Sequence, residues 1–122
     1  MLDTLGHLQH AKHNEQFAEF LESTSYPDWR ATALFYAALH YVQSYFLKQI
    51  PARPFKTHAA RDTAIRLDVH IGGIWNDYRS LKDWSLKTRY EGKQPDEKDF
   101  KNDILKSLET IRKTIYPYVA SP

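Results

Sequence analysis

Between Thr32 and Phe46 the chain reads TALFYAALHYVQSYF, apolar on nearly every side and unbroken by glycine or proline. A helix of that composition has little face to give to water, so the run predicts the central helix of a small bundle. Its polar atoms fall on one stripe, because Tyr36, His40, Gln43 and Ser44 recur at helical spacing and stack on one side. A polar stripe on a buried helix must be satisfied by neighbours or put to use. Two readings stay open: a core histidine hydrogen-bonded to tyrosine or backbone, and one wall of a pocket or subunit interface.

The remaining apolar positions divide at prolines and glycines. Leu5 to Leu21 carries Leu8, Ala11, Phe17, Phe20 and Leu21 at helical spacing and stops at Ser23, Ser25 and Pro27, which predicts a first amphipathic helix. The central helix is expected to start near Asp28 as N-cap and to run to about Lys48. Pro51 and Pro54 enforce an extended connection, and Thr57 caps a short third helix through Arg66. A fourth helix follows Gly72 and Gly73, turns Ile74, Trp75, Tyr78 and Leu81 to a core, and ends before Arg89, Tyr90 and Gly92. Pro95 or Asp96 opens the last helix, whose acidic first turn suits the positive end of the dipole. Its stripe is Phe100, Ile104, Leu105, Leu108, Ile111 and Ile115. No strand, repeat or low-complexity segment emerges, so the fold class is all-α, four main helices with one short extra helix.

Composition narrows the setting. With 122 residues the chain makes a single domain, 1–122, too short for two cores. The absence of cysteine rules out disulfides and thiolate metal sites and fits a cytoplasmic protein. The N-terminus lacks a signal-peptide pattern and the central apolar run is too short to span a bilayer, so no membrane association is expected. A net charge of +2 does not by itself argue for nucleic acid.

The candidate chemistry is cationic and aromatic. His7, His10 and His13 lie three apart, but that spacing drifts around a helix and no thiolate joins them, so a solvated face is expected there, without metal or cofactor. The connection ARPFKTHAAR gathers Arg53, Lys56, His58 and Arg61 where a proline-stiffened loop feeds a helix, an arrangement suited to phosphate. For metal-free RNA cleavage, His58 would take the 2′-hydroxyl proton while Arg53 stabilises charge on the phosphate. A solvated basic loop is the competing reading. In DYRSLKDWSLKTRY, Arg79, Lys82 and Lys87 could track a polyanion, Tyr78 and Trp75 read as core, and Trp84 stays open between core and base stacking.

FYAALHYVQSYF in the second helix, KTHAARDTAI opening the third and YRSLKDWSLKTRY closing the fourth together resemble the prokaryotic HEPN domains, over nearly the whole chain. The resemblance implies an antiparallel four-helix up-and-down bundle that pairs into homodimers with a cleft near the seam. It further implies a place in toxin–antitoxin or anti-phage defence, either as a metal-independent endoribonuclease or as a noncatalytic module beside a nucleotidyltransferase or antitoxin partner. Many members carry Arg followed four to six residues later by His, and only Arg53 with His58 fits here. In nuclease members that pair sits in a later helix, and Ser85 stands where relatives often carry arginine. On this likeness His58, Arg53 and His40 are the catalytic candidates. Arg61, Lys56, Tyr36, Arg79 and Tyr90 are the nucleotide- or phosphate-binding ones.

Overall fold

Helices form in all of the expected places in the computed structural model, which describes residues 2–120; Met1, Ser121 and Pro122 lie outside it. The first helix, α1 (Thr4–Leu21), is capped by Asp3, whose carboxylate accepts from the Gly6 N–H at 2.7 Å. The central helix, α2 (Pro27–Lys48), begins one residue earlier than expected. Pro27 takes the first helical position, where its fixed φ fits and its missing N–H costs nothing; Asp28 then acts through charge in the first turn rather than as the cap. Thr57 caps α3 (His58–Leu67) as expected, its hydroxyl accepting from the Ala60 N–H at 3.1 Å.

A 3-10 turn at Gly72–Ile74 leads into α4 (Trp75–Tyr90), which runs past its expected end through Arg89 and Tyr90. The chain turns only at Gly92, where φ is +67°, a conformation that favours glycine. Asp96 and Asp99 form a reciprocal capping box at the start of α5 (Glu97–Asp99). A π-turn at Phe100–Ile104 then joins it to α6 (Leu105–Val119). No strand occurs among the described residues, and no helix is long and apolar enough to cross a membrane.

Helix α2 is the hub, packing on α1, α4 and α6. Phe35, Val42 and Phe46 of α2 meet Tyr78 and Leu81 of α4 and Ile104, Leu108, Ile111 and Ile115 of α6 in one continuous core. Helix α1 folds back against α2, with Glu22 near Arg30 at one end and His7 near His40 at the other. Its buried line is His7, Leu8, Ala11, Ala18 and Leu21. Two expected core residues are therefore outside: Phe17 is 44% and Phe20 69% exposed. Small Ala11 and Ala18 are buried where α1 packs, chiefly on α2, while Phe17 and Phe20 turn to the side left in water. Leu105 also departs from the buried stripe, at the rim of a groove between α1 and α6 with nothing across from it.

Two polar knots lock the helices. Asp103, in the π-turn, accepts from Trp84 Nε1 at 2.9 Å and Ser80 Oγ at 2.7 Å, which places Trp84 in the core. On the other side the Tyr41 hydroxyl donates to Glu15, whose second oxygen takes Arg112 Nη1 at 2.6 Å, tying α1, α2 and α6 together.

Candidate functional site

Arg61 is the most unusual residue in the fold. The Thr57 cap fixes where α3 starts, and four residues on, Arg61 turns inward until it is only 4% exposed. Its Nη1 lies 3.2 Å from His58 Nδ1 and its Nη2 donates weakly to the Phe55 carbonyl at 3.5 Å. Its Nε is buried with no partner, and no carboxylate among the described residues pairs with the guanidinium. The neighbouring Asp62 instead takes Lys82 at 2.5 Å. Close by, the fully buried Tyr78 hydroxyl feels Arg61 through both its charge and its side-chain N–H groups, although neither that hydroxyl nor Nε reaches full hydrogen-bond geometry. A buried charge is ordinarily paired or coordinated.

His7, His40 and His58 border this cation, and His10 lies beside His40. His7 of α1 and His40 of α2 meet Nδ1 to Nδ1 at 2.8 Å, and the His10 ring lies with its centroid 5.1 Å from that of His40. Two nitrogens that close can share only one proton, one donating and the other accepting, so a second proton between them would set two N–H groups against each other. Burial, then the charge on His7, His10 and Arg61, pushes the His40 pKa down to about 4. Burial followed by His10 lowers that of His7, with Asp3 pulling the other way. His58, whose ring faces Phe35 at 6.1 Å between centroids, is lowered by burial and next by Arg61, with Lys82 adding to it. At neutral pH His7, His40 and His58 are therefore neutral imidazoles beside a permanent guanidinium that no carboxylate among the described residues pairs.

This gathering joins some of the anticipated site residues and separates others. His40, His58 and Arg61 lie together, with Tyr36 one turn from His40 on the same side of α2. Only Ser44 of the polar stripe is fully buried, donating to the Tyr41 carbonyl at 2.6 Å; Tyr36, His40 and Gln43 are half-buried. Arg53 is elsewhere, its guanidinium over the rings of Phe46 and Phe55 at 5.3 and 5.4 Å. Phe46 stands eleven residues beyond Phe35, the ring beside His58, and that is about 16 Å along α2. Arg53 and His58 therefore face different parts of the surface, because an extended connection rather than a helix turn separates them.

Lys56 is exposed on that connection. Arg79 points to another face of α4, 3.8 Å from Asp83, and Tyr90 is 77% exposed beneath Arg89. His7 was expected on a solvated face and is buried instead, whereas His10 and His13 are exposed as expected. The short Glu22–Tyr26 connection carried the missing signal, since it sets the α1–α2 register that brings His7 to His40. Among the described residues no group of three His, Cys, Asp or Glu side chains is placed to hold a metal ion.

Further along α1 lies a groove of about 310 Å³ with a floor of Ala18, Leu34 and Leu108, where Glu15 and Glu22 stand with Arg112 and Arg30. The chain matches no protein-family model, no curated protein and no solved structure.

Proposed function

We propose that this chain is a HEPN-like domain, an antiparallel four-helix bundle with one short extra helix, that binds RNA or nucleotides through a phosphate held at Arg61. The observation that carries this reading is the buried guanidinium with an unpartnered Nε and no carboxylate of its own. An incoming oxyanion would supply the missing partner, and Arg is the side chain whose planar fork suits phosphate. Lys82 and Arg89 add positive potential around it. In this reading the domain works in the cytoplasm as a homodimer within a defence or toxin–antitoxin system, with a nucleotidyltransferase or antitoxin as partner.

Titration with inorganic sulfate, followed by heteronuclear NMR of the His and Arg side chains, tests the binding. Saturable shifts at Arg61 and His40 that vanish in Arg61→Gln are expected, and an Arg61→Gln variant binding sulfate as well as the parent removes the proposal.

A second reading, metal-independent RNA cleavage, is favoured by one arrangement: the neutral imidazoles of His40 and His58 on two different helices beside one guanidinium. One could accept the 2′-hydroxyl proton while Arg61 stabilises charge on the phosphate, the leaving oxygen taking its proton from water. Arg61 takes the phosphate-stabilising part in this reading, since it and not Arg53 meets His58 directly. Labelled RNA incubated in EDTA with the parent, His40→Ala and His58→Ala decides it. Cleavage by the parent that is lost in a folded variant supports catalysis; intact RNA with the parent leaves the binding module.

A further inference from the structure

We propose that the recess at the C-terminal end of α2, formed by Tyr118, His70, Gln49, Ile50, Pro51 and Arg53, is a nucleotide pocket that takes a planar base together with its adjacent phosphate. It is built by three separate parts of the chain: the Pro51–Pro54 connection, the turn after α3 and the end of α6. Its volume is about 430 Å³, within the range of small-molecule sites, which typically combine aromatic walls with a few placed polar groups.

The aromatic wall is Tyr118, 43% exposed, with His70 tilted against it at 5.6 Å between ring centroids. Tyr45 stands edge-on behind Tyr118 at 84° and is held in place by its hydroxyl, 2.9 Å from Asp68 Oδ1. Ile50, wholly in water, and Pro51 supply an aliphatic side that a stacked base would cover.

The polar part is one-sided in charge. Arg53 pairs with no carboxylate among the described residues; two rings hold its guanidinium, and its backbone N–H is fixed to the Phe46 carbonyl at 3.0 Å. The carboxylate that could have neutralised the recess, Asp68, is occupied elsewhere. It accepts from Tyr45, from Gln49 Nε2 at 3.3 Å and from the His70 and Ile71 N–H groups at 2.8 and 2.9 Å. These bonds hold the Asp68 pKa below the usual carboxylate range despite burial. A ring to stack on, beside a preoriented guanidinium without a counter-charge, is the combination that recognises a nucleotide.

The pocket also gives Arg53 a role that pairing with His58 does not. From Arg53 the extended connection passes Lys56 and reaches His58 beside Arg61, a path of at most about 18 Å. A single strand laid along it would place one nucleotide in the recess and a neighbouring phosphate at Arg61. This part rests on the phosphate-binding reading above, whereas the pocket itself does not.

The test measures binding of adenosine monophosphate and of a short labelled oligoadenylate to the full chain, its Tyr118→Ala, Arg53→Gln and Arg61→Gln variants, and the conservative Tyr118→Phe. Tyr118→Ala and Arg53→Gln are each expected to weaken the nucleotide ligand about tenfold, the scale of one lost base stack, while sulfate binding at Arg61 stays unchanged and Tyr118→Phe retains affinity. Loss seen with the monophosphate assigns the pocket to free nucleotides; loss seen only with the oligonucleotide assigns it to a strand. Unchanged affinity in both pocket variants overturns the proposal, as does a parent protein that binds neither ligand. Pocket variants that lose affinity while Arg61→Gln does not would keep the pocket and remove the Arg61 reading instead.

Discussion

Arg61 and the imidazoles around it behave differently from ordinary core residues, and two measurements follow from that difference. A guanidinium buried without a carboxylate is less stable folded than in water, so an apolar replacement of similar length should relieve the fold. Arg61→Met is expected to raise unfolding free energy by about 1–2 kcal/mol while abolishing sulfate binding. Denaturation in urea checks it, and a variant less stable than the parent would recast Arg61 as a structural residue. His40 supplies the second. Unfolded, it binds a proton below its ordinary pKa of 6.5, whereas folded it stays neutral down to about 4, opposed by burial, His7, His10 and Arg61. The unfolded chain thus holds more protons between these values, and stability falls as pH drops through that window. With solvent screening allowed for, the loss is on the order of 1–2 kcal/mol. His40→Gln should flatten the profile between pH 6.5 and 4, read from melting curves across that range.

At the scale of elements, what the sequence made legible was local. The Thr57 and Asp96 caps depend on residues three positions away, and both form as their spacing indicates. The outward turn of Phe17 and Phe20 was hidden because helical spacing shows that a face is apolar but not whether anything lies opposite it. The candidate site divides in the same way. Arg61 and His58 share one helix and stayed together, whereas His7 joined them through a register set by the α1–α2 connection, and Arg53 left through an extended segment that spacing alone treats like a helix turn. The π-turn at Phe100–Ile104 had no visible sequence signal, yet it holds Asp103 where Ser80 and Trp84 both reach it. Asp103→Ala strands a buried indole N–H and a hydroxyl and should cost about 2–3 kcal/mol. Chemical denaturation followed by Trp fluorescence reads it, and a cost below half a kilocalorie would mean water replaces the carboxylate.

For the whole molecule, the open question of assembly rests on the aromatics left in water at one end of the α1–α2 hairpin: Phe17, Phe20, Tyr26 and Trp29, the last two 55% and 53% exposed. Burying such a patch between two copies is the physical basis for the proposed homodimer. Sedimentation at micromolar concentration is expected to show a dimer that Phe20→Ser with Trp29→Ser converts to monomer. A parent chain that sediments as a monomer removes the dimer without touching the Arg61 site.

The groove beside α1 is threaded by cations as well as lined by acids. Glu15 meets Arg112 and Glu22 meets Arg30, so α6 and α2 each reach into it with an arginine. Both pairs cross from one helix to another and border open solvent, where salt weakens them. The groove therefore works as a clasp, and rising ionic strength would loosen the seat of α1 before it disturbs the apolar interior.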